Sequence, residues 1–542
     1  MYPFNCLNGE SGGVIAQKSF LLYAANQASV LVRLVTVAVV ANILGAASIG
    51  IIAFAYAFIG FFLFLYKFGL DTAHMRKIAD GADVGECVGA YVLLKTMITL
   101  GTTALVVAVM LAGGAFGYKF GSVAEQTVVA LILVSVAIGH LFDFPLATFT
   151  ARREIARKVT VGTLRSVLDL PIVLIILLVV GMRNVQGLAL GHLINEIVAV
   201  SIGIVLYRRA ARAGGYRMRM PRWALLREYL MFALPMLGSL GLGCLAVNVD
   251  LVMVKEFMGN AASGNYYVVS RISAAALGIA AALMTVVLPT ASALYARGKS
   301  ADIARLLRQS ERFLSMIVAF LSMGMFVFAE EIMLIFGEDF AGLAPMIMRV
   351  FAVITFLFAV NRPFDSAAII SNRPWIHFHL TVVLTAANIA LNLVLIPKSI
   401  FGVRMLGLGA VGSALGTACL AVAGFLMARL VAKWLLGVRT YRGVLTHLFA
   451  AAVVGGACRL AKPYLLQGGR WDALLKTSAL GVAAAGVYLG LLRLLGEFSA
   501  KDLRKILAMM NPARMKEQFV EEIFTPPATA RDKNEKEALL TG

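Results

Sequence analysis

The chain has 542 residues, of which 60% are hydrophobic and only 14% charged, with a mean hydropathy of +0.85. A soluble domain carries roughly 25% charge, so this much apolar surface excludes an ordinary water-soluble enzyme and calls for lipid as the solvent. The net charge of +20 is a common sign of nucleic-acid binding, but the cations lie in short loops between apolar runs, with no basic soluble domain to grip a duplex. The composition is that of an all-α polytopic membrane protein that takes no nucleic acid as partner.

A helix needs about 20 apolar residues to cross the hydrocarbon core. That rule predicts fourteen spans, near 20–44, 48–70, 87–112, 124–149, 160–181, 185–207, 228–254, 265–294, 313–335, 344–370, 376–397, 406–432, 443–461 and 473–495. The opening MYPFNCLNGESGG has neither a basic n-region nor a small-residue cleavage site, and is expected to remain on the chain. Cys6, Cys87, Cys244, Cys419 and Cys458 show no CxxC spacing and read as small packing residues. With the N-terminus in the cytoplasm, 31 loop and tail cations fall inside and 8 outside, which favours two cytoplasmic termini in the cell membrane. The longest hydrophilic connection is 208–227, too short for the extramembrane catalytic domain of a glycosyltransferase or polymerase, and no Walker A loop occurs.

Leu44-Gly45-Ala46-Ala47-Ser48-Ile49-Gly50 joins spans 1 and 2, and Met258-Gly259-Asn260-Ala261-Ala262-Ser263-Gly264 joins spans 7 and 8. The Gly187/Gly191 pair opening span 6 is echoed by Gly412/Gly416 opening span 12. Six spans per repeat is an even number, so the halves insert in the same direction, as in parallel-repeat transporters. The expected organisation is a cytoplasmic N-terminus (1–19), an N-lobe (20–207), a basic linker (208–227), a C-lobe (228–437), helices 13 and 14 (438–497) and a cytoplasmic tail (498–542). Within the tail, Ser499 and Asp502 cap a short amphipathic helix expected to lie on anionic lipid. The polar end from Pro526 reads as disordered.

Ionisable groups at membrane depth are costly unless paired or hydrated, so each is a functional candidate. They are Arg33, Lys95, Asp143, Arg165, Asp169, Glu196, Asp250, Arg271, Arg349, Arg362 and Asp365. Arg165 and Asp169 (i, i+4) and Arg362 and Asp365 (i, i+3) have the spacing of self-neutralising pairs. Arg33, Lys95 and Arg271 are the candidate substrate-binding cations, since a cationic site suits an anion and guanidinium suits phosphate oxygens particularly well; a structural ion pair or a snorkelling side chain is the alternative for each. Gly407-x-Gly409-x-x-Gly412 matches a dinucleotide fingerprint but opens a hydrophobic span, where helix packing explains it. His377 and His379, two apart, point to different sides of a helix and make no chelate, so no metal site is expected.

The run Ile43–Gly50 into Phe68-Gly69-Leu70-Asp71-Thr72-Ala73 and Arg76 resembles the first hairpin of the polysaccharide and oligosaccharide-lipid flippases. Leu234-Pro235 through Asp250, Gly259, Gly264, Arg271-Ile272 to Leu288-Pro289 is similar to the start of their second lobe. Ile335-Phe336-Gly337-x-x-Phe340, Asn388-x-x-x-Asn392-x-x-Leu395-Ile396-Pro397 and Gly409-Ala410-x-Gly412 complete a resemblance that covers about 20–435. That superfamily also holds the MATE drug antiporters and the lipid II flippases. The resemblance implies a two-lobed alternating-access carrier for a polyprenyl-(pyro)phosphate-linked oligosaccharide, with Arg33 and Arg271 on the helices whose cations serve the headgroup in lipid II flippases. It also implies a coupling-ion site, for Na+ or H+, at Asp250 with Asn388 and Asn392. It implies no other cofactor. Two positions depart from the pattern: Asn42 stands where many flippases carry Arg, and helix 2 has no cation at mid-depth. The stretch Gly69–Arg76 through Cys87 looks closest to archaeal-type members, which implies a dolichyl carrier. Expected partners are the lipid-linked oligosaccharide, membrane lipids, and a polysaccharide polymerase or glycosyltransferases. A cation-coupled multidrug antiporter of the same fold is the alternative function, and a membrane enzyme or a scaffold are more distant ones.

Overall fold

A computed structural model describes residues 10–115, 121–152, 154–465 and 470–499. The first nine residues, Lys119, and the amphipathic helix and polar tail expected beyond Ser499 lie outside the described residues. The chain divides into two compact units. Among the described residues, the first-half unit holds residues 10–33 together with Phe58–Cys244; the second-half unit holds Leu34–Ala57 and the residues from Leu245 to 499.

The elements in chain order are α1 (Glu10–Gly60), α2 (Leu63–Lys67), α3 (Leu70–Ala79), α4 (Val84–Ala115), α5 (Val123–Leu141), α6 (Phe144–Ala151), α7 (Ile155–Leu174) continued by a π-turn (Ile175–Val179), and α8 (Val185–Ala213). Then come α9 (Trp223–Ala233), α10 (Leu237–Met258), α11 (Asn260–Ala296), α12 (Ser300–Val327), α13 (Ala329–Leu334), α14 (Ala344–Asp365), α15 (Ala367–Ile370) and α16 (Pro374–Leu395). A two-stranded hairpin, β1 (Ser399–Ile400) and β2 (Val403–Arg404), precedes α17 (Gly409–Leu436), α18 (Gly443–Leu465) and α19 (Arg470–Leu494). Among the described residues, twelve helices are long and apolar enough to cross a membrane. The first of these, ending at Gly60, covers most of span 1 and runs into span 2, whose remainder lies in α2, while α10 covers most of span 7 without being among the twelve; fourteen spans were expected. The protein is therefore an all-α multi-pass membrane protein.

Prolines interrupt several spans that the hydropathy pattern draws as continuous. Span 4 breaks between α5 and α6, where Pro145 stands in the first turn of α6 and leaves Asp143 as its N-cap. Span 7 breaks at Pro235 in a 3-10 turn. The hairpin at 399–404 was not predicted; Phe401 (φ 47°) and Gly402 (φ 83°) make its turn.

The internal repeat has a backbone signature. Gly45 (φ 77°, ψ 174°) splits α1, and Gly259 (φ 83°, ψ −178°) separates α10 from α11. Both occupy a region closed to side-chain-bearing residues, so the two glycines force the same sharp joint between long helices. Five residues on, the helices that follow cross in mutual contact. A Cβ added at Gly50 would overlap the Asn260 carbonyl oxygen, and one at Gly264 would overlap the Ala46 carbonyl oxygen. Each repeat thus offers its glycine to the same backbone position of the other.

In the first-half unit, Leu70, Ala73, Tyr91, Ala147, Leu226 and Tyr229 form a core between α3, α4, α6 and α9. His74 is fully buried there, with Nδ1 3.0 Å from the Tyr229 hydroxyl and Nε2 3.2 Å from the Thr148 hydroxyl. Burial pushes its imidazole down to about 4, against a smaller opposing contribution from the Cys87 backbone. The unfolded chain therefore binds this proton first as pH falls. Stability supplied by neutral His74 is complete above pH ~6.5 and is lost between ~6.5 and ~4, by at most about 3 kcal/mol. Thermal unfolding of the purified protein across pH 7.5 to 4.5 is expected to show this fall, and His74→Gln to flatten it; an identical pH profile in the variant would remove His74 from the cause.

In the second-half unit, α18 and α19 pack on α12 and α14 through Met316, Met323, Phe356, Val454, Tyr488 and Leu492. Tyr488 donates to the Met316 carbonyl at 2.8 Å. The two helices outside the duplication are thus bound to the second repeat.

Candidate functional site

Helix α16 is built inside out. Its buried residues are Thr385, Asn388 and Asn392, all polar, while Val383 and Val394 are exposed. The 3–4-residue spacing sets the three on one face, and the apolar residues turn to the outside, as a lipid-facing helix requires. That face meets Asp250 of α10. Asn392 donates from Nδ2 to Asp250 Oδ1 at 2.7 Å, and the Tyr266 and Thr417 hydroxyls donate to Oδ2 at 3.0 and 2.8 Å. Asn388 Oδ1 is 3.2 Å from Asn392 Nδ2. Asp250, Asn388 and Asn392, picked out from sequence, are therefore brought together, with Tyr266 and Thr417 as two further members. Gly412 and Gly416 let α17 approach α16: a Cβ at Gly416 would lie 3.7 Å from Asn392 Oδ1.

Asn392 Oδ1 and the Ser413 hydroxyl are buried here without a hydrogen-bond partner. Together with the Asp250 carboxylate, Asn388 Oδ1 and the Thr417 hydroxyl they form an all-oxygen donor set with one formal negative charge. Such a set suits a small hard cation such as Na+, and soft or imidazole-seeking metals poorly.

Asp250 stands at the wall of a cavity of about 550 Å³ within the second-half unit. Tyr56 of α1, Tyr267 and Arg271 of α11, Arg362 and Asp365 of α14, and His377 of α16 also line it. Arg271 and Arg362 are exposed. The Arg271 guanidinium lies 4.6 Å from the centroid of the Tyr267 ring, which supports one face of the cation while its N–H edge stays available. The cavity thus holds two guanidinium groups together with the Asp250 and Asp365 carboxylates and the Tyr56 and Tyr267 rings.

Other expectations are corrected. Arg362 and Asp365 do not close into a direct ion pair: Asp365 accepts from Asn361 Nδ2 at 2.6 Å, Arg362 remains within electrostatic reach of it, and both line the cavity. Arg165 and Asp169 also part. Arg165 pairs with Glu196, and Asp169 Oδ1 lies 3.0 Å from both His192 Nδ1 and Asn195 Nδ2, because α8 offers closer partners than the next turn of α7. Arg349 is held by Glu330. Of the three candidate substrate-binding cations, only Arg271 lines this cavity. Arg33 is exposed on α1, and Lys95 is wholly buried in the first-half unit, where α4 turns it inward toward Asp143. Asn42, which departs from the flippase pattern, receives Arg470 Nη2 on its Oδ1 at 2.6 Å and donates to the Ile335 carbonyl at 2.8 Å. A guanidinium from the first turn of α19 thus reaches that position.

A buried oxygen-rich cluster at Asp250 thus stands beside an arginine-bearing cavity in a chain of membrane-spanning helices. Two family models each match more than half of the chain: that of the polysaccharide biosynthesis proteins over residues 15–295, and that of the lipid II flippase MurJ over residues 170–469. The chain belongs to the family of polysaccharide biosynthesis proteins and lipid II flippases that these two models describe. A relative from Haloferax volcanii, described as the probable low-salt glycan biosynthesis flippase Agl15, is 22% identical over 407 residues, covering 74% of this chain and 80% of its own. In fold, the chain resembles the lipid II flippase MurJ in an inward closed conformation, with TM-score 0.65 and 14% identity over 88% of this chain and 98% of that one. It also resembles the Vibrio cholerae MATE transporter VcmN, with TM-score 0.56 and 14% identity over 78% of this chain and 98% of that one.

Proposed function

We propose that the protein carries a polyprenyl-(pyro)phosphate-linked oligosaccharide from the cytoplasmic to the outer leaflet of the cell membrane by alternating access, as a step in glycan assembly. The observation that carries this reading is the pair Arg271 and Arg362 in a cavity lined by Tyr56 and Tyr267, in a chain of the family of polysaccharide biosynthesis proteins and lipid II flippases. The arginines hold the phosphate, the hydrated cavity takes the sugar, and the polyprenyl tail stays in the bilayer. The excess of loop cations on the side of the N-terminus supports cytoplasmic termini. A polymerase or glycosyltransferases on either face are the partners that would supply and consume the cargo. Cells lacking the protein are expected to lose surface glycan and accumulate its lipid-linked precursor, with unchanged sensitivity to cationic dyes. Dye hypersensitivity with normal glycan would favour a multidrug antiporter instead.

Asp250, Asn388, Asn392 and Thr417 are the residues that would hold a coupling Na+, with Tyr266 orienting the carboxylate. A bound cation would supply charge at a carboxylate now served only by hydrogen-bond donors. Asp250→Asn keeps the shape and removes the negative charge, so Na+ stimulation of translocation is expected to disappear. Na+ stimulation at the wild-type level in folded Asp250→Asn would remove this site from coupling.

A further inference from the structure

The interior of the first-half unit holds a second group of ionisable side chains that neither the cavity nor the Asp250 site uses. Helix α4 turns Lys95, Thr99 and Thr102 inward and Met97, Leu100 and Leu105 outward. The Lys95 ammonium is 0% exposed and makes no hydrogen bond. Its carboxylate neighbour is Asp143 Oδ2, 3.9 Å away, and His140 Nδ1 lies 3.8 Å from the same oxygen, also without a hydrogen bond. His140 stacks on Tyr66 at 5.1 Å, and the Tyr66 hydroxyl is 2.9 Å from that of Thr103. Asp71 accepts from the Tyr91 hydroxyl at 2.6 Å, and the Lys95 ammonium lies 5.6 Å from the Tyr91 ring centroid. From α7 and α8 the charged groups within electrostatic reach are Lys158, Arg165 and Glu196, the last two paired with each other. A Cβ at Gly139 would lie 2.6 Å from Glu196 Oε1, so this glycine admits the carboxylate to the α5 face.

We propose that His140 and Asp143 form a proton-binding site, with Lys95 as its built-in competing cation, that couples protonation to movement of the span-4 break. A settled structural ion pair closes to about 2.7–2.9 Å. Here one carboxylate oxygen stands almost equally far from two nitrogens and closes on neither. A proton taken up by His140 gives an imidazolium that draws Asp143 and leaves Lys95 without its partner; loss of that proton returns Asp143 to Lys95. Asp143 is the N-cap of α6 at the Pro145 break, so whichever cation holds it also sets the direction in which the second part of the span leaves the first. Discontinuous spans are where membrane transporters place coupling sites.

The coupling role rests on the transport reading, so the test has two arms. In full-length protein in nanodiscs labelled with 13C-histidine, one imidazole signal, missing from His140→Gln, is expected to titrate between pH 5 and 9. Its midpoint is expected to rise by about one unit in Lys95→Met and to fall in Asp143→Asn, as nearby charges dictate. An imidazole that stays in one form across this range, or a midpoint indifferent to both variants, would overturn the site. In proteoliposomes, an imposed pH gradient is expected to accelerate translocation of lipid-linked oligosaccharide by wild type at least fivefold, and to leave His140→Gln at its gradient-free exchange rate. Equal acceleration in His140→Gln would overturn the coupling. Absence of translocation by wild type under any gradient would count against the proposed function alone, since the titration still decides the proton site.

Discussion

Arg271→Ala and Arg362→Ala are each expected to lower translocation of a lipid-linked oligosaccharide at least tenfold. A hydrogen bond to a charged group contributes about 1.5–3 kcal/mol, which corresponds to roughly ten- to a hundredfold in affinity. Both guanidinium groups line the same cavity, so either loss leaves the phosphate with a single partner. Arg271→Lys is expected to recover only part of the activity, because an ammonium keeps the charge but not the planar fork or the stacking on Tyr267. The initial rate against substrate density in reconstituted vesicles measures this; an alanine variant at wild-type rate would take that arginine out of the site. Arg33→Ala is a useful companion. Arg33 is not among the residues lining the cavity, and an equally large loss there would point to a headgroup path that extends beyond it.

Gly50→Ala and Gly264→Ala are expected to reduce translocation by more than tenfold in protein that still elutes as a folded monodisperse species. A Cβ at either glycine overlaps a backbone carbonyl oxygen of the facing helix, and neither backbone is a flexible neighbour that can give way. The contact lies at matching positions of the two repeats, just past the joints at Gly45 and Gly259, and the same region is secured by Asp339 Oδ2 on the Ala46 N–H at 3.2 Å. Losing this contact removes a closed arrangement of the helix ends rather than the cavity, so headgroup binding is expected to survive while turnover falls. Gly101→Ala is the control, since its Cβ would meet open space on α4. Turnover unchanged in both Gly50→Ala and Gly264→Ala would mean that the tight crossing is dispensable.

Much of this was readable from the chain because membrane depth and glycine geometry are strong constraints. Span lengths follow from bilayer thickness, and the GxxxxG echo marked two joints that only glycine can make. The Asp250 site was half legible. Asn388 and Asn392 share a helix face, but Tyr266 and Thr417 lie 16 and 167 residues from Asp250 and reach it only through packing of α10, α11 and α17. Arg362 and Asp365 stay within electrostatic reach, as their i, i+3 spacing suggests, but the hydrogen bond to Asp365 comes from Asn361 of the turn before, which spacing alone does not show. Arg165 and Asp169 are likewise drawn to other partners, both on α8. The break at Asp143 did carry a signal, Pro145, which a hydropathy window averages away. Lys95 looked like a substrate cation by depth alone; the inward polar stripe of α4 explains why it faces Asp143 instead.

The most direct test is headgroup accessibility in proteoliposomes holding a labelled polyprenyl-phosphate oligosaccharide in one leaflet. The flippase reading predicts protein-dependent appearance of the headgroup in the opposite leaflet, abolished together by Arg271→Ala and Arg362→Ala. No translocation of any polyprenyl-linked glycan, with efflux of cationic dyes by the same vesicles, would contradict it.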